Sequence, residues 1–434
     1  MKILLCQSYL GPNNQEPLVF PLGLAYIASM LEDKHELMGF DPSVVQNPLN
    51  ELSSILEDFH PDIVGVSLRN IDGIFSFYKC SYYLPFVSLI RHIKKTAPWC
   101  RLVVGGAGFS AFPEEIMARN PEIDFGMISE GEYTFAQLAE NLGHPELIQN
   151  LYYRRAEKVV FTGKAPLADF DTLPSPSRTI FDLAMYKNKP AVGIQSKRGC
   201  NYGCIYCLHA YYMGSSCRLR QPKKIVDEIE VLVNEHDINY FYLVDPVFNF
   251  PLNHSREICH EITQRKLDIK WEAAFRPDLV NAPFMEECVK AGCTLFDFSP
   301  DGASDDALSL LGKSYTVETI EKTINLVRKT ENAKVSYEFM YDLPGKNAGH
   351  IIGLARLFPK IVSLDNKLSS LTLSKMRIFP HTKLYDIALE QGKINQKTDL
   401  LFPTHYESGP ASLTNILPPL IRKAALTFQK IKSL

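Results

Sequence analysis

The sequence predicts an α/β protein in which a doubly wound, Rossmann-like domain precedes a partial (β/α)6 barrel and a short C-terminal helical segment. Its 434 residues exceed one ordinary domain, and 46% hydrophobic with 22% charged residues is typical of globular chains. Twice along the chain, short apolar runs alternate with segments of helical spacing. Because this alternation is typical of parallel strands joined by helices, each series predicts one sheet.

The first series occupies residues 1–145 and predicts the doubly wound domain. Its strands are predicted at Lys2–Cys6, Glu36–Phe40, Ile63–Ser67, Leu102–Val104 and Phe125–Ile128. Its helices are predicted at Leu22–Leu31, Leu49–Phe59, Tyr83–Ile93, Glu114–Met117 and Phe135–Leu142. Since ligands of such sheets bind beyond the carboxyl ends of the strands, the loops after the strands are candidate binding residues.

The second series occupies residues 191–377 and predicts the partial barrel. Its strands are predicted at Ala191–Ser196, Tyr240–Val244, Ile269–Ala274, Leu295–Ser299, Lys334–Met340 and Leu371–Arg377. Its helices are predicted at Ile225–Asn234, Ser255–Arg265, Pro283–Ala291, Asp306–Leu311 and Val317–Arg328. Six such units form a barrel or part of one, whose chemistry is expected at the carboxyl ends of the strands.

Two further segments complete the predicted organisation. Residues 146–190 lose the alternating pattern and carry several prolines, which predicts a linker. Residues 378–434 form the C-terminal segment, with an amphipathic helix after Leu413. A solvated helix packed on the barrel is the leading interpretation of that tail, and contact with a lipid-like substrate or a membrane surface is the alternative.

Charge and hydropathy exclude several classes of function. The net charge is −3, so no basic field attracts nucleic acid. No apolar run reaches the roughly 18 residues that a membrane span needs, and the N-terminal apolar run is shorter than that of a signal peptide. A cytoplasmic protein without a nucleic-acid partner is therefore expected.

Three of the ten cysteines are grouped in one loop after the first barrel strand. Cys200, Cys204 and Cys207 are spaced so that three thiolates can surround one cubic iron–sulfur cluster, which leaves one of its four irons open. Gly199 and Gly203 permit close approach of the backbone. A zinc site completed by His209 and an accidental grouping are the alternatives.

The spacing Cys-x3-Cys-x2-Cys, with Tyr206 just before the last cysteine, resembles the signature of the radical S-adenosylmethionine (SAM) superfamily. The resemblance implies a 4Fe-4S cluster whose open iron binds SAM, cleavage of SAM to a 5′-deoxyadenosyl radical, and an electron donor such as flavodoxin or ferredoxin. It makes Cys200, Cys204 and Cys207 the metal ligands and assigns Tyr206 to cofactor binding.

Further barrel segments resemble superfamily motifs that contact SAM. Asp245 and Asn249 lie in the second-strand segment, Asp301 in the fifth-strand motif that usually carries glutamate, and Gly345 in the sixth-strand loop near adenine. The residues themselves suggest a catalytic pair. Glu272 is a candidate for contact with the sulfonium or the open iron, and Arg276 lies at the end of the same strand. A carboxylate paired within the barrel is the alternative for Glu272.

The first domain resembles the cobalamin-binding domain that is fused to many radical SAM enzymes. The residues that carry this resemblance and are predicted to bind cofactor are Gly105, Gly106, Gly108, Phe109, Ser110, Glu130, Gly131 and Glu132. The Asp-x-His-x-x-Gly loop that supplies cobalt with an imidazole is missing. Arg69 or Asn70 is therefore expected to face the lower side of cobalt. An empty domain that serves packing or substrate binding is the alternative.

The resemblances together imply a cobalamin-dependent radical SAM enzyme. A methyltransferase that acts on an unactivated carbon of a small molecule, of the kind found in natural-product biosynthesis, is the leading hypothesis. Amino-carboxypropyl transfer from SAM, ring rearrangement and methylthiotransfer are the alternatives within enzymes. A non-catalytic cobalamin sensor is a further alternative, although a sensor has no use for an open-iron cluster.

Overall fold

The computed structural model describes residues 1–8, 18–73, 80–187, 189–345 and 348–409. The amphipathic helix predicted after Leu413 lies outside these residues. The chain divides into two compact units. The first contains Met1–Cys200, Leu208–Tyr242 and Asp399–Pro403, and the second contains Asn201–Cys207, Leu243–Thr398 and the chain from Thr404 on.

The first unit is built on a seven-stranded sheet. Its strands are β1 (Lys2–Gln7), β2 (Glu36–Phe40), β3 (Ile63–Ser67), β4 (Arg101–Gly105), β5 (Phe125–Met127), β6 (Leu151–Arg155) and β7 (Lys158–Phe161). The strand order is β2-β1-β3-β4-β5-β6-β7, and the first five strands are parallel. The order reverses between β1 and β3, which is where doubly wound sheets bind ligands.

Helices connect the parallel strands, as the sequence predicts. They are α1 (Leu22–Ser29), α2 (Pro48–Phe59), α3 (Tyr83–Thr96), α4 (Ala107–Ala111), α5 (Pro113–Arg119) and α6 (Glu132–Glu140). The central strands are apolar throughout because helices cover both faces of a parallel sheet. Leu4, Val64 and Val103, for example, are completely buried. The doubly wound fold class is confirmed.

The hairpin β6–β7 was not predicted. It lies in residues assigned to the linker, and it extends the sheet in the antiparallel sense beside β5. Both strands are short, and the turn between them contains Ala156 with φ of 54°. The hairpin has no glycine or asparagine turn signal, so sequence pattern alone gave little indication of it.

A six-stranded sheet contains all six strands of the second series. They are β8 (Val192–Ile194), β11 (Tyr240–Leu243), β12 (Lys270–Phe275), β13 (Cys293–Asp301), β14 (Lys334–Asp342) and β15 (Leu368–Lys375), in the order β15-β14-β13-β12-β11-β8. Strands β9 (Lys197–Arg198) and β10 (Arg218–Leu219) form a separate antiparallel ribbon. Since β8 and β15 are the two edges, the barrel is partial in the described chain, as predicted.

Helices of the second series follow the strands. They are α7 (His209–Met213), α8 (Pro222–His236), α9 (Leu252–Gln264), α10 (Ala282–Lys290), α11 (Asp305–Leu310), α12 (Val317–Lys329), α13 (Ala348–Val362) and α14 (Lys383–Glu390). None of the helices in the described ranges is long and apolar enough to cross a membrane.

Strands β12 to β14 have two chemically different faces. One face is aromatic: the Phe275 ring contacts Phe284 of α10, and Phe339 contacts Phe358 of α13. The alternate positions carry half-buried carboxylates at Glu272, Asp297 and Glu338, which lie on the inner face of the partial barrel. The period-2 alternation of each strand therefore separates a helix-packing core from a polar inner surface.

Candidate functional site

Glycines let two strand-end turns of the first unit approach each other. The amide of Gly108 donates to the carbonyl of Leu68 over 2.9 Å, and Leu68 donates to Gly105 over 2.9 Å. Gly106 has φ of 97°, and a Cβ there would lie 2.6 Å from the Leu68 oxygen. Gly108 packs equally closely on the peptide between Asn70 and Ile71. These glycines therefore fix the surface beyond β3 and β4.

One buried polar atom at these strand ends suits a polar ligand. Ser8 follows β1 and is completely buried, and its hydroxyl has no hydrogen-bond partner among the described residues. Its amide donates to Ser67 of β3 over 3.0 Å, so the hydroxyl lies at the reversal of strand order. A buried hydroxyl without a partner costs about 1–3 kcal/mol, which a polar group of a bound cofactor can offset. The strand ends therefore fit a cofactor such as cobalamin.

Phe109 and Ser110 stabilise the protein at this surface. The ring of Phe109 is completely buried against Gly126 of β5. The Ser110 hydroxyl donates to the Gly106 carbonyl over 2.9 Å and accepts from the amide of Ser129 over 2.9 Å. Arg69 and Asn70 lie half-buried after β3. Of these predicted binding residues, only Arg69 and Asn70 keep part of their side chains at the surface.

Glu130 and Glu132 form buried ion pairs with the ribbon that flanks the cysteine loop. Arg198 of β9 lies 2.6 Å from Glu132 and 3.3 Å from Glu130, and Arg218 of β10 lies 2.6 Å from Glu130. Although burial disfavours its charge, the two carboxylates raise the pKa of the Arg198 guanidinium. Gly131 lies between the two carboxylates and packs on Ile27. Glu130 and Glu132, which were predicted to bind cofactor, thus form ion pairs with arginines of the same protein.

The segment after the cysteines is bonded to the loop that contains residues 129–132. The hydroxyl of Ser129 donates to the carbonyl of Tyr212 in α7. At the start of the loop, the amide of Cys200 donates to Gly214 over 3.0 Å. Gly199 has φ of 85°, and a Cβ there would lie 2.1 Å from the Ser216 oxygen. The base of the cysteine loop is therefore closed by backbone contacts and held by residues 129–132.

Backbone contacts within the second unit hold the middle of the cysteine loop. The amide of Ile205 donates to Leu311 over 3.3 Å, and the carbonyl of Ile205 accepts from Leu384 over 2.8 Å. Gly312 has φ of 80°, and a Cβ there would lie 2.5 Å from the oxygen of Gly203. The loop is thereby held against the end of α11 and the start of α14.

Arg276 contacts the first of two tyrosines in the loop. Its guanidinium lies 3.6 Å from the ring centroid of Tyr202 and bonds Asp278 and Ser314, each over 2.8 Å. Both ends of the Asn249 amide bond the backbone of Arg276 over 2.9 Å. Arg276 and Asn249, predicted as catalytic and SAM-binding residues, support the loop through these contacts.

Asp301 contacts the second tyrosine. Tyr206 donates its hydroxyl to the Asp301 carboxylate, and Lys313 lies 2.6 Å from the same oxygen. Lys313 also donates to the Ser299 carbonyl over 3.0 Å. Although burial opposes the charge, Asp301 raises the pKa of the Lys313 ammonium. Asp301 is buried with φ of 65° at the end of β13. Because it accepts from Tyr206, its carboxylate joins the cysteine loop to the end of this strand.

The thiols of the loop differ from the core cysteines. Cys200 and Cys204 are half-buried and Cys207 is exposed, whereas Cys288 and Cys293 are buried and burial raises their thiol pKa well above its usual value. Thiolate ligands require accessible, ionisable sulfur, so the loop provides a suitable donor set for a cluster. Among the described residues, no three His, Cys, Asp or Glu side chains lie close enough together to hold a single metal ion.

Carboxylates on the inner barrel face accompany Glu272. Burial, then Glu338 and Glu272, raise the pKa of Asp297 to about 7. Burial and Asp301 raise the pKa of Glu338, whose carboxylate accepts from Ser299 over 3.2 Å. Asp297 and Glu338 were not among the predicted site residues. Each stands between two aromatic residues of a buried strand, and this alternation was the available signal.

Two other predicted SAM contacts follow barrel strands. Asp245 is buried after β11. Gly345 follows β14 with φ of 88°, and a Cβ there would meet no atom of the described residues within 4 Å. Gly345 is exposed, which leaves its backbone accessible to a ligand.

Two family profiles match the chain. The B12 binding domain matches residues 14–139, and the radical SAM superfamily matches residues 194–358. Between them they cover more than half of the sequence. The chain is a cobalamin-binding radical SAM enzyme. This assignment confirms the predicted cofactors, which are cobalamin, SAM and a 4Fe-4S cluster.

Relatives of the enzyme include methyltransferases and cyclases. An uncharacterized methyltransferase of Pyrococcus horikoshii is 24% identical over 85% of this chain and 78% of its own length. An anaerobic magnesium-protoporphyrin IX monomethyl ester cyclase of Rubrivivax gelatinosus is 26% identical over 63% of this chain. The enzyme spans only 45% of that cyclase.

The fold of the enzyme is also found in the radical SAM methyltransferase TsrM from Kitasatospora setae. One TsrM structure contains cobalamin and a [4Fe-4S] cluster, and has a TM-score of 0.76 at 21% identity over 90% of this chain and 75% of TsrM. Another contains tryptophan and a SAM analogue, and has a TM-score of 0.78 at 21% identity over 94% of this chain and 80% of TsrM.

Replacing Arg198 with methionine should destabilise the enzyme by about 3–5 kcal/mol, because it leaves Glu132 buried without its cation. Urea unfolding under anaerobic conditions measures the change. The control is Lys34→Met, which removes the exposed ion pair with Glu140 and should leave the unfolding midpoint unchanged. Equal losses in both variants would contradict the importance of the buried pairs.

Asp297 should make the stability of the enzyme fall as pH rises from about 4 to about 7. Over this range the folded protein keeps a proton that the unfolded chain releases, at about 1.4 kcal/mol for each unit of pKa difference. Asp297→Asn should therefore gain melting temperature relative to wild type as pH increases from 5 to 8. Asp306→Asn, at an exposed position, is the control. Parallel melting curves for Asp297→Asn and wild type would exclude this role.

Proposed function

We propose that the enzyme is a methyltransferase that acts on an unactivated carbon of a small molecule. The observation that carries this proposal is the bonding of residues 129–132 to the segments before and after the cysteines. Ser129 and Glu130, which follow a strand of the cobalamin-binding domain, contact Tyr212, Arg198 and Arg218. The segments that flank the cysteines are thus bonded to a strand-end loop of the cobalamin-binding domain. The similarity of the chain to methyltransferases supports the same chemistry.

We propose that Cys200, Cys204 and Cys207 hold the 4Fe-4S cluster. When bound, the cluster and SAM supply a 5′-deoxyadenosyl radical, and cobalamin supplies a methyl carrier. Asp245 and Gly345 are proposed to contact SAM, and Arg69 or Asn70 to face the lower side of cobalamin. Glu272 is proposed to act at the inner barrel face, where Asp297 and Glu338 accompany it.

The proposed chemistry also requires an electron donor and a substrate. A 4Fe-4S cluster must receive an electron, and we propose flavodoxin or ferredoxin as the donor, in the cytoplasm. The substrate is proposed to be a small molecule, as tryptophan is for TsrM. A ring-forming reaction is the second candidate because the Rubrivivax gelatinosus cyclase is 26% identical to this chain.

Replacing the three loop cysteines together with alanine should lower the iron content of the anaerobically reconstituted protein from about four per chain to near zero. Circular dichroism should show that the fold survives. The matched control replaces Cys80 and Cys217, which are also half-buried, and should keep the iron. Unchanged iron in the triple variant would end the ligand assignment.

The fragments of SAM should distinguish methyl transfer from its alternatives. Turnover with a reductant and the metabolite pool of the source cells should release S-adenosylhomocysteine and 5′-deoxyadenosine in comparable amounts, because methyl donation and hydrogen abstraction each consume one SAM. Chromatography with mass detection measures both products. Cys204→Ala, the control, should form no 5′-deoxyadenosine.

Other product patterns would contradict radical methyl transfer. Methylthioadenosine as the main product would indicate transfer of the amino-carboxypropyl arm. 5′-Deoxyadenosine alone would favour ring formation or rearrangement, and S-adenosylhomocysteine alone would indicate methylation without a radical.

A further inference from the structure

We infer that Lys313 is a positioning residue that sets the reduction potential of the cluster through a buried positive charge beside Cys204, and that Asp301 opposes this charge. The inference rests on the proposed function, because it requires the cluster to be bound at Cys204. It gives Asp301 an electrostatic role in addition to the SAM contact predicted from sequence.

The placement of Lys313 is fixed by two contacts. Its ammonium lies 2.6 Å from the Asp301 carboxylate and 3.0 Å from the Ser299 carbonyl, and its side chain is only 9% exposed. The ammonium lies 5.9 Å from the ring centroid of Tyr206, and a Cβ at the neighbouring Gly312 would lie 3.5 Å from the Cα of Cys204. Lys313 cannot move into solvent without breaking both contacts, so its charge is permanent beside the loop.

The backbone next to Lys313 holds the same part of the loop. Gly312 packs on the Gly203 carbonyl, and Leu311 accepts from the amide of Ile205. The residues on both sides of Cys204 therefore contact Leu311 and Gly312, the two residues before Lys313. These contacts hold Lys313 next to the backbone around Cys204.

A buried cation should make the cluster easier to reduce. Reduction adds one electron and, with no proton taken up, one negative charge to the cluster and its thiolates. The potential of such clusters depends on net charge and solvent exposure. Charges in a protein interior are weakly screened, so the Lys313 ammonium stabilises the reduced form. The Asp301 carboxylate opposes this stabilisation, and the two residues should therefore shift the potential in opposite directions.

Dithionite titration followed by electron paramagnetic resonance tests the inference on the reconstituted full-length protein. Lys313→Met should lower the equilibrium constant for one-electron reduction at least tenfold, which corresponds to about 59 mV. Asp301→Asn should raise the same constant, because its amide oxygen still accepts from Tyr206 while the negative charge is removed. Lys313→Arg keeps the charge and should remain close to wild type.

The outcomes separate this inference from the cluster assignment. Wild-type protein without about four irons would refute the proposed cluster itself. With a normal cluster in the wild type, equal potentials in all variants would overturn the role of Lys313, and so would shifts of the same sign in Lys313→Met and Asp301→Asn. If Lys313→Met loses its iron, the test rests on Asp301→Asn. A reduction potential of Asp301→Asn that is not higher than that of the wild type then contradicts the inference.

Discussion

The buried ion pairs between Glu130, Glu132 and the two arginines of the β9–β10 ribbon constrain the rest of the site. A charge that is buried away from water is tolerated only when an opposite charge is paired with it. The loop after β5 and the ribbon must therefore keep one relative position. The chain leaves this ribbon at Arg198 and reaches Cys200 two residues later. The position of the first cysteine in the first unit is therefore set by carboxylates that follow a strand of the cobalamin-binding domain.

The middle of the cysteine loop is held through its two tyrosines, one against a guanidinium and the other against a carboxylate. Tyr202 stacks on Arg276, and Tyr206 bonds Asp301. Both tyrosines lie between cysteines, and their side chains are occupied by contacts with the ends of β12 and β13. Because the tyrosines between the cysteines are anchored in this way, the thiols stay accessible. A short loop around a large inorganic cluster requires accessible thiols.

The sequence allowed the strands of the two alternating series to be predicted within about three residues, because buried parallel strands are continuous apolar runs with clear ends. The short antiparallel strands β6, β7, β9 and β10 were not predicted. It also indicated the cysteine loop, whose spacing is local. The roles of Glu130, Glu132 and Asp301 could not be derived, because their partners are distant in sequence: 66 residues separate Glu132 from Arg198, and 95 separate Tyr206 from Asp301. Opposite charges at such separations give no periodic signal. Asp297 was within reach of prediction, since a carboxylate between two phenylalanines is unusual in a buried strand.

The polar side chains thus divide into two sets with separate tasks. Glu130, Glu132 and Arg276 are satisfied by contacts within the protein, whereas the groups proposed to meet cofactor or substrate are the thiols, Arg69 or Asn70, the exposed backbone at Gly345 and the groups on the inner barrel face. On that face, burial and the charges of Glu338 and Glu272 raise the pKa of Asp297 to about 7, and burial and Asp301 raise the pKa of Glu338. A protonated carboxyl donates a hydrogen bond, whereas a carboxylate only accepts. Because its pKa is about 7, Asp297 can therefore donate a hydrogen bond to an acceptor group of a ligand at or below neutral pH, although the inner face is acidic.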